Sequence, residues 1–251
     1  MNSQDLTKQW FGELYFDEET HTYTDDYGTE YSSVTEYIST FFPAFIQEEQ
    51  AKAFSERLKA KGVNKTPEQI LEAWDEKRLF GSKIHARIEE LLANPTHVPK
   101  DDVLEGEHLM VRSALRVVRG LKTLHDIRRI YPEVKVFNKD LRLAGTIDLL
   151  MITKDEKIIL GDFKTSNSIY KGFKKHETHE LTKDLSSSNY VKYCLQLNAY
   201  EALLPLDKEV LDSYIIHLKP YGSEVKLYKA KSEEYKDKVT QLLGLRGGKD
   251  E

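Results

Sequence analysis

A chain of 251 residues, 39% of them hydrophobic and 31% charged, is long enough to bury a sizeable core. Its net charge of −5 argues mildly against nonspecific coating of nucleic acid, yet allows acidic metal ligands beside a local basic patch. The single cysteine, Cys194, excludes intrachain disulfides, four-cysteine zinc sites and four-cysteine iron–sulfur clusters. No apolar run approaches a membrane span, and the N-terminal residues have neither signal-peptide nor transit-peptide character, so a cytoplasmic protein with no membrane contact is expected.

Along the chain, residues 13–32 alternate aromatic and polar types around Glu18-Glu19 and Asp25-Asp26-Tyr27-Gly28, the pattern of a small meander or hairpin. Ser33 then caps a short helix that Pro43 stops. Thr66-Pro67-Glu68-Gln69 is a helix start, with Thr as cap, Pro at the first position and Gln three residues on. That helix, or a pair broken near Phe80-Gly81, carries Ile84, His85 and Glu89 and ends near Asn94-Pro95. A third long helix is predicted from about Asp101 to Ile130, with Met110, Ala114, Val117, Leu121 and Leu124 as its buried stripe. Strands follow from Tyr131 through LRLAGTIDLLMIT and KIILGDFKT, breaking at Ser166. After some twenty polar residues come a helix from Asn189 to Leu204, strands SYIIHL and EVKLYKA, and an amphipathic helix from Ser232. This order predicts an α/β (α+β) fold. Residues 1–65 form an N-terminal meander and helical elaboration, and 66–251 form the core of one compact unit.

The two central strands carry the chemistry. If Lys154-Asp155-Glu156 is a three-residue hairpin loop, with Thr153 opposite Lys157, Asp148 falls opposite Asp162, their Cβ atoms about 5 Å apart. Like charges that close repel, and a divalent cation between them relieves the repulsion. Asp162 and Lys164 are two apart and share a strand face. An isolated Asp-x-Lys is ordinarily a solvated strand edge; the facing Asp148 is what this bland reading leaves unexplained. Asp148 and Asp162 suit Mg²⁺ or Mn²⁺, and Lys164 suits orienting or helping to deprotonate an attacking water.

These residues resemble the PD-(D/E)XK nuclease superfamily, RecB-type exonuclease branch. The motifs are His85 in GSKIHARIEELL, Glu133, AGTID ending at Asp148, GDFKTS with Asp162 and Lys164, and Gln196 and Tyr200 in YCLQLNAY. They fall in the family's order over roughly residues 80–220. The resemblance implies a restriction-endonuclease-like mixed central sheet flanked by helices. It implies His85 and the Phe163 carbonyl as further metal ligands, and Gln196 and Tyr200 facing the scissile phosphate or the strand. Glu133 either binds metal through water or orients basic groups. Iron–sulfur cysteines and a Walker A motif are absent, so the likeness is to a stand-alone, metal-dependent DNA exonuclease of recombination, repair or phage-type processing. A recombination or replication protein is the implied partner. An endonuclease on the same fold and a catalytically silent nucleic-acid-binding module are the alternatives.

For substrate binding, Tyr170, Lys171, Phe173, Lys174 and Lys175, with Thr165 and Ser166, follow the catalytic strand. Cations interleaved with aromatics suit DNA of single-stranded character. The stripe Arg112, Arg116 and Arg119 is ordinarily a solvated helix face. His176 and His179 have the spacing of a metal pair, but nothing nearby completes a site.

Overall fold

The structure, a computed structural model, describes residues 1–17, 20, 22–101, 104–170, 179–219 and 224–247. Among these residues lie seven α-helices and a mixed eight-stranded sheet. The helices are α1 (Ser3–Trp10), α2 (Val34–Ser39), α3 (Gln47–Lys59), α4 (Pro67–Leu92), α5 (Leu109–Leu124), α6 (Asn189–Leu203) and α7 (Glu233–Gly247). The strands are β1 (Leu14–Asp17), β2 (Thr22–Asp25), β3 (Glu30–Ser33), β4 (Ile127–Asn138), β5 (Leu143–Thr153), β6 (Ile158–Lys164), β7 (Val210–Leu218) and β8 (Val225–Lys229).

Strand β5 is the centre. One edge pairs antiparallel with β4 along almost its whole length. The other edge is shared: β6 takes Leu149 to Ile152, and β3 takes Leu143 and Ala144. Beyond β6 lie β7, parallel, and β8, antiparallel. Side chains alternate between two cores. Leu149 and Met151 of β5, with Ile159 and Phe163 of β6, pack with Ile84 and Ile88 of α4 and the buried stripe of α5. Leu150 and Ile152, with Ile158 and Leu160, pack with α2, α6 and α7. The sheet is therefore covered by helices on both faces, and its strands read as continuous apolar runs for that reason.

Helix α4 is a single helix of 26 residues with no break at Gly81, and Thr66 and Gln69 close its capping box. The predicted helix over 101–130 is shorter than expected. It begins at Leu109, where the His108 side chain accepts the Met110 amide, and it ends before Asp126, whose φ of 50° turns the chain into β4. Its buried stripe keeps Met110, Ala114 and Leu121, adds Val118, and leaves Leu124 exposed. Helices α1 and α3 are additions to the expected order. An Asn2–Asp5 capping box starts α1, and the Thr7 hydroxyl donates to the Lys135 carbonyl of β4 at 3.0 Å.

Candidate metal centre

The hairpin has the expected register. Thr153 N donates to Lys157 O at 2.9 Å, Glu156 takes a left-handed φ of 61°, and pairing runs back to Leu149 opposite Gly161. Asp148 and Asp162 therefore share the next row. On the other edge, Pro132–Leu149 and Val134–Ile147 bracket the same row, so Glu133, at φ 50°, lies beside Asp148. Three carboxylates stand in line across β4, β5 and β6, a row that folding alone disfavours.

Past Gly161 the β5–β6 pairing ends, and β3 begins only at Ala144. Residues 145–148 thus have a strand neighbour on one side only among the described residues. The Phe163 amide donates to Asp148 Oδ2 at 2.8 Å. From the other layer α4 brings in His85, its helix fixed by buried Ile84 and Ile88. Its Nδ1 lies 3.5 Å from Asp148 Oδ2, and its ring meets Phe163 edge-on at 6.1 Å. One ligand atom from each of His85, Glu133 and Asp148 falls within 4.8 Å of the others.

Asp162 is buried (2% exposed) and differs from the expected ligand pair: it lies outside this trio. Its Oδ1 accepts from Lys164 Nζ at 2.8 Å, while its Oδ2 is buried with no hydrogen-bond partner. Lys164 Nζ also sits 4.5 Å over the Tyr193 ring. The charges are mutually strained. Burial, then the Asp148 charge, pushes Glu133 up to about 8. Burial raises Asp162 to about 6, against the pull of Lys164 and with the push of Asp148. Burial also raises Asp148, opposed by Lys164 and the Phe163 amide. Burial, then Lys164, lowers His85 to about 4, so its imidazole is neutral at pH 7. Burial disfavours the Lys164 ammonium, but Asp162 and Asp148 outweigh it and hold the group above its ordinary value. A neutral imidazole and two close carboxylates make a candidate site for a divalent cation, and their nitrogen and oxygen donors fit Mg²⁺ or Mn²⁺.

Gln196 and Tyr200, expected from the resemblance to face the phosphate or the strand, are buried at 7% and 3% exposure. Gln196 Nε2 donates to the Tyr200 hydroxyl at 3.1 Å, and the Tyr200 ring lies against Gly145, where a Cβ would come within 2.5 Å of it. Tyr200 thereby packs beneath the stretch of β5 that has a strand neighbour on one side only. Tyr193, one turn earlier, lines the cleft instead.

That cleft, of about 1220 Å³, opens beside His85, Glu133 and Lys164 and is also lined by Thr165 and Ser166. A second cleft of about 920 Å³ shares Ala86, Glu89 and Glu133 with it. Tyr170 is exposed and stacks on Tyr190 at 4.9 Å. Lys171, Phe173, Lys174, Lys175 and His176 lie outside the described residues. His179 caps the turn at Glu180–Thr182 and meets Phe41 edge-on. Arg116 and Arg119 both bind Asp101, as a solvated face does. Trp74, Lys77 and Arg78 also line the cleft but were not singled out in the sequence. Their signal was there, since they lie 11, 8 and 7 residues before His85, on one helical face.

No protein-family model matches this chain, and no curated protein does. Among solved structures the chain is similar to the crystal structure of SSO0001, at 13% identity and a TM-score of 0.36, over 86% of this chain and 77% of that one. No helix among the described residues is long and apolar enough to cross a membrane.

Proposed function

We propose that this protein is a divalent-metal-dependent nuclease that hydrolyses phosphodiester bonds in DNA, working as an exonuclease in recombination, repair or phage-type DNA processing. The observation that carries this reading is the meeting of His85, Glu133 and Asp148 within 4.8 Å, next to a lysine ion-paired with a second buried aspartate. A cation held by the trio would supply Lewis acidity, which acidifies water and offsets phosphate charge. Lys164, fixed at 2.8 Å by Asp162, carries its positive charge to the mouth of the cleft. There it orients water and offsets charge developing on the phosphate; its two carboxylate neighbours make proton removal the lesser role. The Phe163 amide holds Asp148 Oδ2, so the orientation of that carboxylate is set before a cation arrives.

The test is digestion of end-labelled linear and closed circular DNA, single- and double-stranded, with Mg²⁺, Mn²⁺ or EDTA. Loss of linear DNA alone, abolished by EDTA, supports the exonuclease. Nicked or cut circles replace it with an endonuclease. No cleavage, with DNA binding retained, replaces both with a silent binding module.

A further inference from the structure

Helix α4 does more than deliver His85. One of its faces lines the clefts from Trp74 to Glu89, at alternating spacings of three and one: Trp74, Lys77 and Arg78, then Gly81 and Ser82, then His85 and Ala86, then Glu89. This is a continuous helical stripe, ~16 Å long from Trp74 to His85. Its chemistry changes along its length. The first turns offer an aromatic ring and two cations. The middle offers only small side chains, and there α4 approaches the segment after β6 so closely that a Cβ on Gly81 would lie 2.7 Å from Thr165 Oγ1. The far end turns acidic, where the second cleft is lined by Glu13, Glu89 and Glu90.

Resting on the nuclease reading, we infer that this stripe is the track for an unpaired nucleic-acid strand, which reaches His85 from the Trp74 side with a base stacked on Trp74. Two observations favour an unpaired strand over a duplex. Trp74 is backed by Phe45 and Phe54, with ring centroids at 5.9 and 6.5 Å, which fixes its ring as a platform. A base can stack on such a platform only with its face free. Phe80 and Tyr193 add aromatic rings in the same cleft as Lys77, Arg78 and Lys164, the interleaving that holds a single strand by charge and stacking together. Glu13 and Glu90 at the far end are paired with Lys8 and Arg87, so Glu89, beside Glu133, is what repels phosphates there and keeps the polyanion on the Trp74 side of the metal centre.

The chain carries its own reporter, because it has two tryptophans and Trp10 lies apart, packed against the core with Lys208 over its ring. Oligothymidylate is titrated in EDTA, where no cleavage occurs, and binding is followed both by anisotropy of a labelled oligonucleotide and by tryptophan emission. The inference expects emission to be quenched in step with binding, quenching to vanish in Trp74→Phe with binding retained, and Trp74→Ala to weaken binding about tenfold. Lys77→Ala should weaken it with a shallower salt dependence. Thermal stabilisation by Mn²⁺ should be unchanged in all three variants. Binding by anisotropy with unaltered Trp74 emission, or equal competition by blunt duplex, overturns the track. Quenching without metal-dependent cleavage on any substrate would instead overturn the nuclease reading and leave the track standing.

Discussion

The Phe163 amide donates to the Asp148 carboxylate at 2.8 Å, at the row where the β5–β6 ladder has just ended. A backbone donor released from the sheet thereby becomes the clamp on the central carboxylate. The same parting of strands frees room for His85 to reach Asp148 from the helical layer. The meeting of His85, Glu133 and Asp148 thus falls where β5 changes partners from β6 to β3.

If this trio holds a cation, folding and binding are linked. Mn²⁺ at a hundred times its dissociation constant should stabilise the folded chain by about 2.7 kcal/mol. For a chain of this size that is a rise in melting temperature of roughly 5–10 °C. The rise should vanish with EDTA and in Asp148→Ala or His85→Ala, read by differential scanning fluorimetry. An undiminished rise in both variants would remove the trio as the site.

Lys164→Ala should reduce cleavage by at least about 100-fold, because it removes the one cation fixed at the centre. The variant should also lose stability: Asp162 is 2% exposed, and without Lys164 both its oxygens lack partners. A loss of about 1–3 kcal/mol of stability is expected. Lys164→Gln, which can still donate to Asp162 without carrying charge, should recover most of that stability and remain inactive. Cleavage by Lys164→Gln at the parental rate would take the charge out of the mechanism.

Much of this was legible in the residues. The hairpin register followed from the three-residue loop, which places Thr153 opposite Lys157 and so fixes every pair behind it. The capping box at Thr66 and Gln69 announced α4 for an equally local reason. What could not be read was which partners share an edge. The break in β5 pairing depends on β3, over a hundred residues earlier, and no local pattern encodes it. The separation of Asp162 from His85, Glu133 and Asp148 is likewise tertiary: its carboxylate bonds Lys164, whose ammonium sits over Tyr193 of α6. The burial of Gln196 and Tyr200 was not legible either: the middle of α6, Cys194 to Tyr200, is buried, and a polar pair on it looks the same in sequence whether it faces water or the core.

Gly145 should be intolerant of any side chain. A Cβ there would lie 2.5 Å from the Tyr200 ring, and the ring has nowhere to go between α6 and β5. Gly145→Ala should cost about 1–3 kcal/mol of stability through overpacking. Combined with Tyr200→Leu, the loss should be smaller than the sum of the two single losses. Strict additivity in urea denaturation would mean the two residues do not press on one another.

The last prediction concerns pH and the meander that frames the site. Asp25 is buried in the β2–β3 turn. Its Oδ1 accepts from the amides of Tyr27 and Thr29, each at 2.9 Å, and its Oδ2 from the Tyr31 hydroxyl at 2.8 Å. Burial alone would raise its pKa, but these hydrogen bonds outweigh it and hold the carboxyl below its ordinary value. A depressed folded-state pKa adds stability that is complete above the unfolded value, about 3.9, and is lost as pH falls through the folded value. Asp25→Asn should therefore be less stable than the parent at pH 7, and the gap should narrow as pH falls below 3.9. Tyr23 on the same meander bonds Thr146 of β5 at 3.1 Å, so loosening the turn should also loosen the strand that carries Asp148. Urea midpoints measured from pH 7 to pH 3 decide it. A gap that stays constant across that range would mean Asp25 holds the turn by shape and not by charge.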